Sequence, residues 1–213
     1  FDLIADAASP IAIIGGAGWN AKARTYFQTF AERIGLPVAT AFRRQDAIAP
    51  DSPIYAGNLG YGPNPKLVER VRNADLIIAV GARLGEATTD GYQVPTLEHP
   101  GQQLVHIHPD PEELGRVYHT DLALCCSMDE FAECAALWED SYIIPFDAGV
   151  EAHREWSGWA TPQPSDAALD LAACVSAMRA VLPDNTIIAN GAGNFAGWWH
   201  RYWRYSAYPG QLA

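Results

Sequence analysis

Positive charge is scarce in this chain. Fourteen Lys and Arg stand against 25 Asp and Glu, a formal net charge of −11, which disfavours a nucleic-acid backbone or an anionic membrane surface as partner. Any phosphate site must therefore be local, built from backbone amides and a few arginines. Long apolar runs are also missing: no stretch reaches the roughly 20 residues that a spanning helix requires. The four cysteines, Cys125, Cys126, Cys134 and Cys174, show neither paired CxxC spacing nor the density of a disulfide framework. They read as reduced, mostly buried thiols of a cytoplasmic protein. No P-loop, HExxH or Ser-His-Asp arrangement occurs, and the acidic residues are scattered rather than paired.

What is present is a soluble, core-rich composition, 49% hydrophobic and 18% charged over 213 residues. That is enough for one full α/β domain and a piece of a second. The chain begins at Phe1 in mid-pattern, without the start of a signal peptide, and reads as cut from something longer.

The organising stretch is Ile11–Asn20, IAIIGGAGWN. Four apolar residues, Ile11 to Ile14, run into Gly15, Gly16 and Gly18, and a helical pattern opens at Asn20. Gly16 to Ala21 fits G-x-G-x-x-A, the nucleotide-binding fingerprint, in the strand–turn–helix context that pattern needs. Such a turn either lets amides approach a phosphate at a helix N-terminus or simply closes a βα unit. Ala23, Tyr26, Phe27, Phe30, Ala31 and Ile34 form one helical stripe, Gly35 suits the C′ position, and a strand follows over Val38–Phe42. Strand, helix and strand with short joints predict a right-handed crossover and a parallel sheet.

The second strand ends in Phe42-Arg43-Arg44, where a NAD-binding unit usually carries Asp or Glu. Two arginines suit a phosphate, or are solvated loop charges; an ordinary NAD dehydrogenase is disfavoured either way. Residues 47–64 read as a long loop in which Gly57–Gly62 approaches a ligand or turns the chain. Pro65 opens a helix to about Asn73, and Ala74–Val80 reads as a strand buried on both faces. Arg83, just past that strand, is the best single candidate for a cofactor contact; an ion pair with Glu86 is the alternative. Leu104–Ile107 and Leu122–Cys125 are further strands, and Met128–Glu139 an amphipathic helix. His106 and His108 share a strand face with Asp110 close behind, but lack the further ligand that a metal site needs.

Residues 141–164, with several prolines and the Trp156/Trp159 segment, read as an interdomain connection. Ser165 then caps a helix over Asp166–Leu182, a strand covers Thr186–Ala189, and Asn190-Gly191-Ala192-Gly193-Asn194 is a second glycine elbow before an aromatic helix. Phe195, Trp198, Trp199, Tyr202, Trp203, Tyr205 and Tyr208 form a large aromatic surface, either a platform for bases or sugars or packing for an absent partner. Helix, strand and helix cannot enclose a core, so this is expected to be the opening of an incomplete domain.

The ordered set GGAGW, NLGYGPNP, ADLIIAVGARLGEATT and LVHIHPDPEELG resembles the central domain of thiamine-diphosphate enzymes, closest to the acetolactate-synthase-like group. TIIANGAGNFAGW is similar to the opening of that family's pyrophosphate-binding domain. The resemblance implies a Rossmann-like parallel six-stranded sheet with helices on both faces over residues 1–140, a linker over 141–164, and a truncated second α/β domain over 165–213. It implies thiamine diphosphate and magnesium in a full-length lyase or carboligase acting on a 2-oxo acid or related carbonyl substrate. It further implies a homo-oligomer, dimer or tetramer, with active sites between subunits.

Gly191, Ala192, Gly193 and Asn194 fall on the diphosphate-contacting loop, with Gly-Ala-Gly where acetolactate synthases have Gly-Gln-His. In the family the activating Glu lies in an N-terminal domain, and the resemblance implies that the metal motif should follow beyond Ala213. The chain alone is therefore expected to be inactive. Two other readings stand beside this one: a structural or regulatory module holding FAD or ADP through Gly16, Gly18 and Arg83, and a non-catalytic scaffold. His108 stands where FAD-binding members often carry an acidic residue.

Overall fold

The computed structural model describes residues 1–95, 101–138, 147–191 and 193–212. A short helix, α1 (Asp2–Asp6), leads to β1 (Pro10–Ile14), and the amides of Ala8 and Ser9 between them donate to the two carboxylate oxygens of Asp75 at 2.6 and 2.8 Å. Helix α2 (Ala21–Ile34) follows, started by the Asn20 side chain, which accepts from Ala23 N–H, and closed by Gly35 in the left-handed region. Then come β2 (Val38–Thr40), β3 (Tyr55–Asn58), α3 (Pro65–Asn73), β4 (Leu76–Val80), β5 (Gln103–His108), β6 (Leu122–Cys125) and α4 (Met128–Leu137). Helices α5 (Asp147–Trp159) and α6 (Leu171–Val181), β7 (Ile188–Ala189), α7 (Ala196–Tyr202) and β8 (Gln211–Leu212) complete the described order.

The first six strands form one parallel sheet in the order β3-β2-β1-β4-β5-β6. Because successive side chains on a strand face opposite ways, Ile11 and Ile13 join Leu67 and Val71 of α3 on one face, while Ala12 and Ile14 join Phe27, Phe30, Met128 and Ala132 of α2 and α4 on the other. Residues 11 to 14 are wholly buried, each isoleucine contributing about 1.5–3 kcal/mol by leaving water. The expected six-stranded parallel sheet with helices on both faces is what forms. The order reverses between β1 and β4, which opens a crevice at the strands' carboxyl ends.

Several sequence expectations need correction. Strand β2 stops at Thr40 rather than Phe42, because Arg43 adopts φ +64 and turns the chain. The presumed loop over 47–64 contains β3, whose Gly57 has no side chain because the Trp156 ring fills that space: a Cβ there would lie 2.8 Å from Trp156 Cδ1. The stretch 141–164, read as a connection, contains α5. Its Gly149 lies against Ile54 and the Gly35 carbonyl, its Ala152 and Trp156 enter the two cores, and Glu155 pairs with Arg70 of α3 at 2.9 Å. Ser165 caps no long helix: its hydroxyl accepts from Ala167 N–H in a local turn, and α6 starts later, where Asp170 accepts from Ala172 and Ala173.

The strand expected over Thr186–Ala189 shortens to β7, and β8, which no apolar pattern announces, pairs with it in parallel. The thiols are less buried than expected, since Cys125 and Cys134 are exposed. Tyr202, Trp203 and Tyr205 are buried, in a small cluster with Ala172, Val175 and Ile188. The expected aromatic surface therefore turns largely inward, leaving Phe195 and Trp198 exposed.

Candidate functional site

At the carboxyl rim of the sheet lies a cleft of about 810 Å³. Its walls are Gly16 and Ala17 after β1, Phe42 to Arg44 after β2, Ala82 to Thr88 after β4, and His108 and Asp110 after β5. Of the sequence candidates, Gly16 and Arg83 meet there. Arg83 is exposed on the wall and forms no ion pair with Glu86. Gly18 lies outside it, and a Cβ on Gly18 would face Met128 at 3.7 Å. Gly16 is held at φ +71, and its Cβ would fall 1.9 Å from the Gly81 carbonyl oxygen. The elbow is thus fixed by the close approach of two backbone turns.

The helix end beyond it already has partners. Besides the Asn20 cap, Asn20 Nδ2 donates to both carboxylate oxygens of Asp129 at 2.7 Å, and Trp19 Nε1 donates to the Gly15 carbonyl at 2.8 Å. Tyr208 reaches back from the far end of the chain, its hydroxyl donating to the Trp19 carbonyl at 2.6 Å.

The two arginines after β2 separate. Arg43 faces the cleft with its guanidinium 4.8 Å from the Phe42 ring centroid. Arg44 Nε lies 3.7 Å from Asp46, and Arg44 donates to the Tyr208 hydroxyl at 3.2 Å. His106 is buried, with Nε2 at 2.8 Å from the Ala82 carbonyl, and burial lowers its pKa. His108 Nδ1 accepts from Asp110 N–H at 3.1 Å. Both rings thus hydrogen-bond to loop backbone, and among the described residues no three of His, Cys, Asp and Glu are grouped to hold a metal ion.

The second elbow lies apart from this cleft. Gly191, Gly193 and Asn194 are exposed, and a Cβ at Gly191 would meet nothing within 4 Å; Ala192 lies outside the described residues. Sequence reasoning missed the group that holds this region to the main sheet. Asp46 is fully buried and accepts from the amides of Gly210 and Gln211 at 3.0 and 3.3 Å, while Gln45 N–H donates to Gln211 Oε1 at 2.8 Å. No periodic signal marks a single acidic residue in a one-turn 3-10 helix, Gln45–Ala47.

The model of the thiamine pyrophosphate enzyme central domain matches residues 1–134. The chain belongs to the thiamine pyrophosphate enzymes. Within that family it is 31% identical over 116 residues to the sulfoacetaldehyde acetyltransferase of Alcaligenes xylosoxydans xylosoxydans, covering 54% of this chain and 19% of the relative. The acetolactate synthase large subunit of Parasynechococcus marenigrum (strain WH8102) is 32% identical over 123 residues, 58% of this chain and 19% of that protein. The glyoxylate carboligase of Escherichia coli O157:H7 is 28% identical over 160 residues, 73% of this chain and 26% of that protein. This thiamine pyrophosphate enzyme chain therefore spans about a fifth to a quarter of the relatives it matches. Among its described residues no helix is long and apolar enough to cross a membrane.

Proposed function

We propose that the chain is the central domain, with the opening of the pyrophosphate-binding domain, of a thiamine-diphosphate- and magnesium-dependent lyase or carboligase acting on a 2-oxo acid or related carbonyl compound. The observation that carries this reading is the family match over residues 1–134 followed, in the same chain, by a glycine elbow after β7. The relatives named acetolactate synthase and glyoxylate carboligase favour carbon–carbon bond formation between carbonyl compounds. When bound, thiamine diphosphate supplies an electron sink for the carbanion that such chemistry generates. The contribution of this chain is positional. Open space beside Gly191 leaves room for a diphosphate to approach the main chain, whereas at Gly193 the Phe195 ring takes the place of a side chain, a Cβ there lying 2.7 Å from it. In this reading α5 belongs to the central domain, the second domain starts near residue 165, and two subunits share each active site.

The test is an assay of the full-length gene product with thiamine diphosphate and magnesium against pyruvate and glyoxylate. Cofactor-dependent release of carbon dioxide from at least one is expected; no release from either overturns the 2-oxo acid assignment. The 213-residue chain alone should show no turnover under the same conditions.

The rim cleft favours a second reading, a nucleotide such as FAD or ADP held between Gly16, Arg43 and Arg83. Flavin absorbance in the purified protein, or an ADP-induced rise in melting temperature that Arg83→Ala removes, would support it. Neither effect appearing would leave the cleft as a scaffold feature.

A further inference from the structure

We propose that Asp46 is a positioning residue that sets the second glycine elbow through β8. The inference rests on the reading of that elbow as a diphosphate loop, but its physical content is independent. Asp46 is 0% exposed and follows β2 of the main sheet. One of its oxygens, Oδ2, takes both Gly210 N–H and Gln211 N–H, at 3.0 and 3.3 Å. Gly210 directly precedes β8 and Gln211 begins it, and β8 pairs in parallel with β7: Gln211 is in register with Ile188 and Leu212 with Ala189. The ladder continues as Ile188 N–H donates to the Gly210 carbonyl at 2.9 Å and Asn190 N–H to the Leu212 carbonyl at 3.2 Å. Asn190 is the first residue of the elbow. An unbroken run of short, directional bonds thus leads from a carboxylate anchored beside the central sheet to the loop, across 144 positions of sequence (190 − 46).

Three features favour positioning over bulk stability. The Asp46 carboxylate is poorly compensated: Oδ1 has no hydrogen-bond partner and the nearest guanidinium nitrogen, on Arg44, stands 3.7 Å away. Burying such a group is costly, so an apolar residue would fill the space at less expense but could not register β8. Gly210 is fitted to the contact, since a Cβ there would meet the Ala207 carbonyl oxygen at 2.5 Å and Asp46 Cβ at 3.6 Å. Gln45 duplicates the hold, its amide group bonding Gln211 Nε2 at 3.1 Å while its own backbone N–H donates to Gln211 Oε1. Two consecutive residues therefore hold Gln211, and Asp46 holds Gly210 as well.

Amide hydrogen exchange on the 213-residue chain, without ligand, tests this. Asp46→Leu should speed exchange at Asn190, Gly210 and Gln211 by about tenfold or more while Ile11 to Ile14 keep their rates, the signature of local opening. Asp46→Asn keeps a carbonyl oxygen for both amides and should stay within about threefold of the parent. Gln45→Ala removes the acceptor for Gln211 Nε2 and leaves the Gln45 N–H bond to Gln211 Oε1, so it should speed the same amides to a smaller extent, and it serves if Asp46→Leu does not fold. Unchanged rates at Asn190 in Asp46→Leu, or in Gln45→Ala where that variant stands in, would overturn the proposal. So would equal acceleration of the central strands, or Asp46→Asn behaving as Asp46→Leu. A full-length protein that never uses thiamine diphosphate would instead sink the reading of the elbow and leave this exchange pattern as it is.

Discussion

The Arg204 guanidinium lies over the Trp156 ring, 4.1 Å from its centroid, and joins the tail to the helix that covers the edge of the main sheet. Tyr55 of β3 packs edge-on to the same indole at 4.6 Å, and three residues earlier in the tail Arg201 lies over Trp159 at 4.4 Å. The same guanidinium groups donate to the carbonyls of Ala160 and Trp159. Arginine stacks on aromatic faces without losing the fork of donors at its edge.

Truncating this stack should cost different amounts at its two members. Trp156→Ala should lower stability by about 3–5 kcal/mol, as for a large core aromatic, and Arg204→Ala by about 2 kcal/mol. Urea unfolding of both single variants and the double variant measures their coupling. Strict additivity would show that the stack contributes nothing of its own.

Gly16 and Gly18 should differ sharply although both have positive φ. Gly16→Ala drives a Cβ into the Gly81 carbonyl at 1.9 Å, whereas at Gly18 the nearest atom is the Met128 side chain at 3.7 Å. Gly18→Ala should cost about 1–2 kcal/mol through backbone conformation alone, and Gly16→Ala about 3 kcal/mol or more. Thermal unfolding of the two variants decides it, and equal losses would contradict the packing described.

Mild acid should weaken the fold before the carboxylates titrate. Burial, as the leading cause, lowers the pKa of His106, His153 and His200 below the ordinary 6.5, and at His200 nearby Arg43 adds to the effect. Below that value the unfolded chain takes up these protons first, so stability present above pH 6.5 is lost as pH falls through the lowered folded values. The urea midpoint should drop between neutral pH and about pH 5.5, and His200→Phe should flatten that drop. A midpoint independent of pH in this window would contradict the buried neutral rings.

The start of α4 is the next point of sensitivity. Ser127 Oγ accepts from Glu130 N–H at 3.2 Å, and a Glu130 carboxylate oxygen accepts from Ser127 N–H at 2.9 Å. Ser127→Ala removes the forward half of this box and should cost about 1 kcal/mol. Because Met128 and Asp129 follow directly and touch the Gly18 and Asn20 turn, faster amide exchange should extend to residues 18–20 as well as to the first turn of α4.

The sequence by itself determined the parallel sheet, its two-sided burial and the first glycine elbow, because those are local properties: an apolar run of strand length, a helical stripe, and glycines where the chain must turn. Family membership was legible for a related reason, since several such motifs recur in a fixed order. What only the tertiary structure decided was which distant groups meet. Gly57 is glycine because Trp156 arrives from 99 residues further on (156 − 57), and β3 lies inside a stretch that otherwise reads as loop. Asp46, Gln45 and β8 carry no periodic signal at all, and Arg43 and Arg44 part company only when Tyr208 and Asp46 claim the second of them. Short windows of sequence record how much of a segment is buried. They do not record what buries it, because that identity is fixed by packing between residues scores of positions apart.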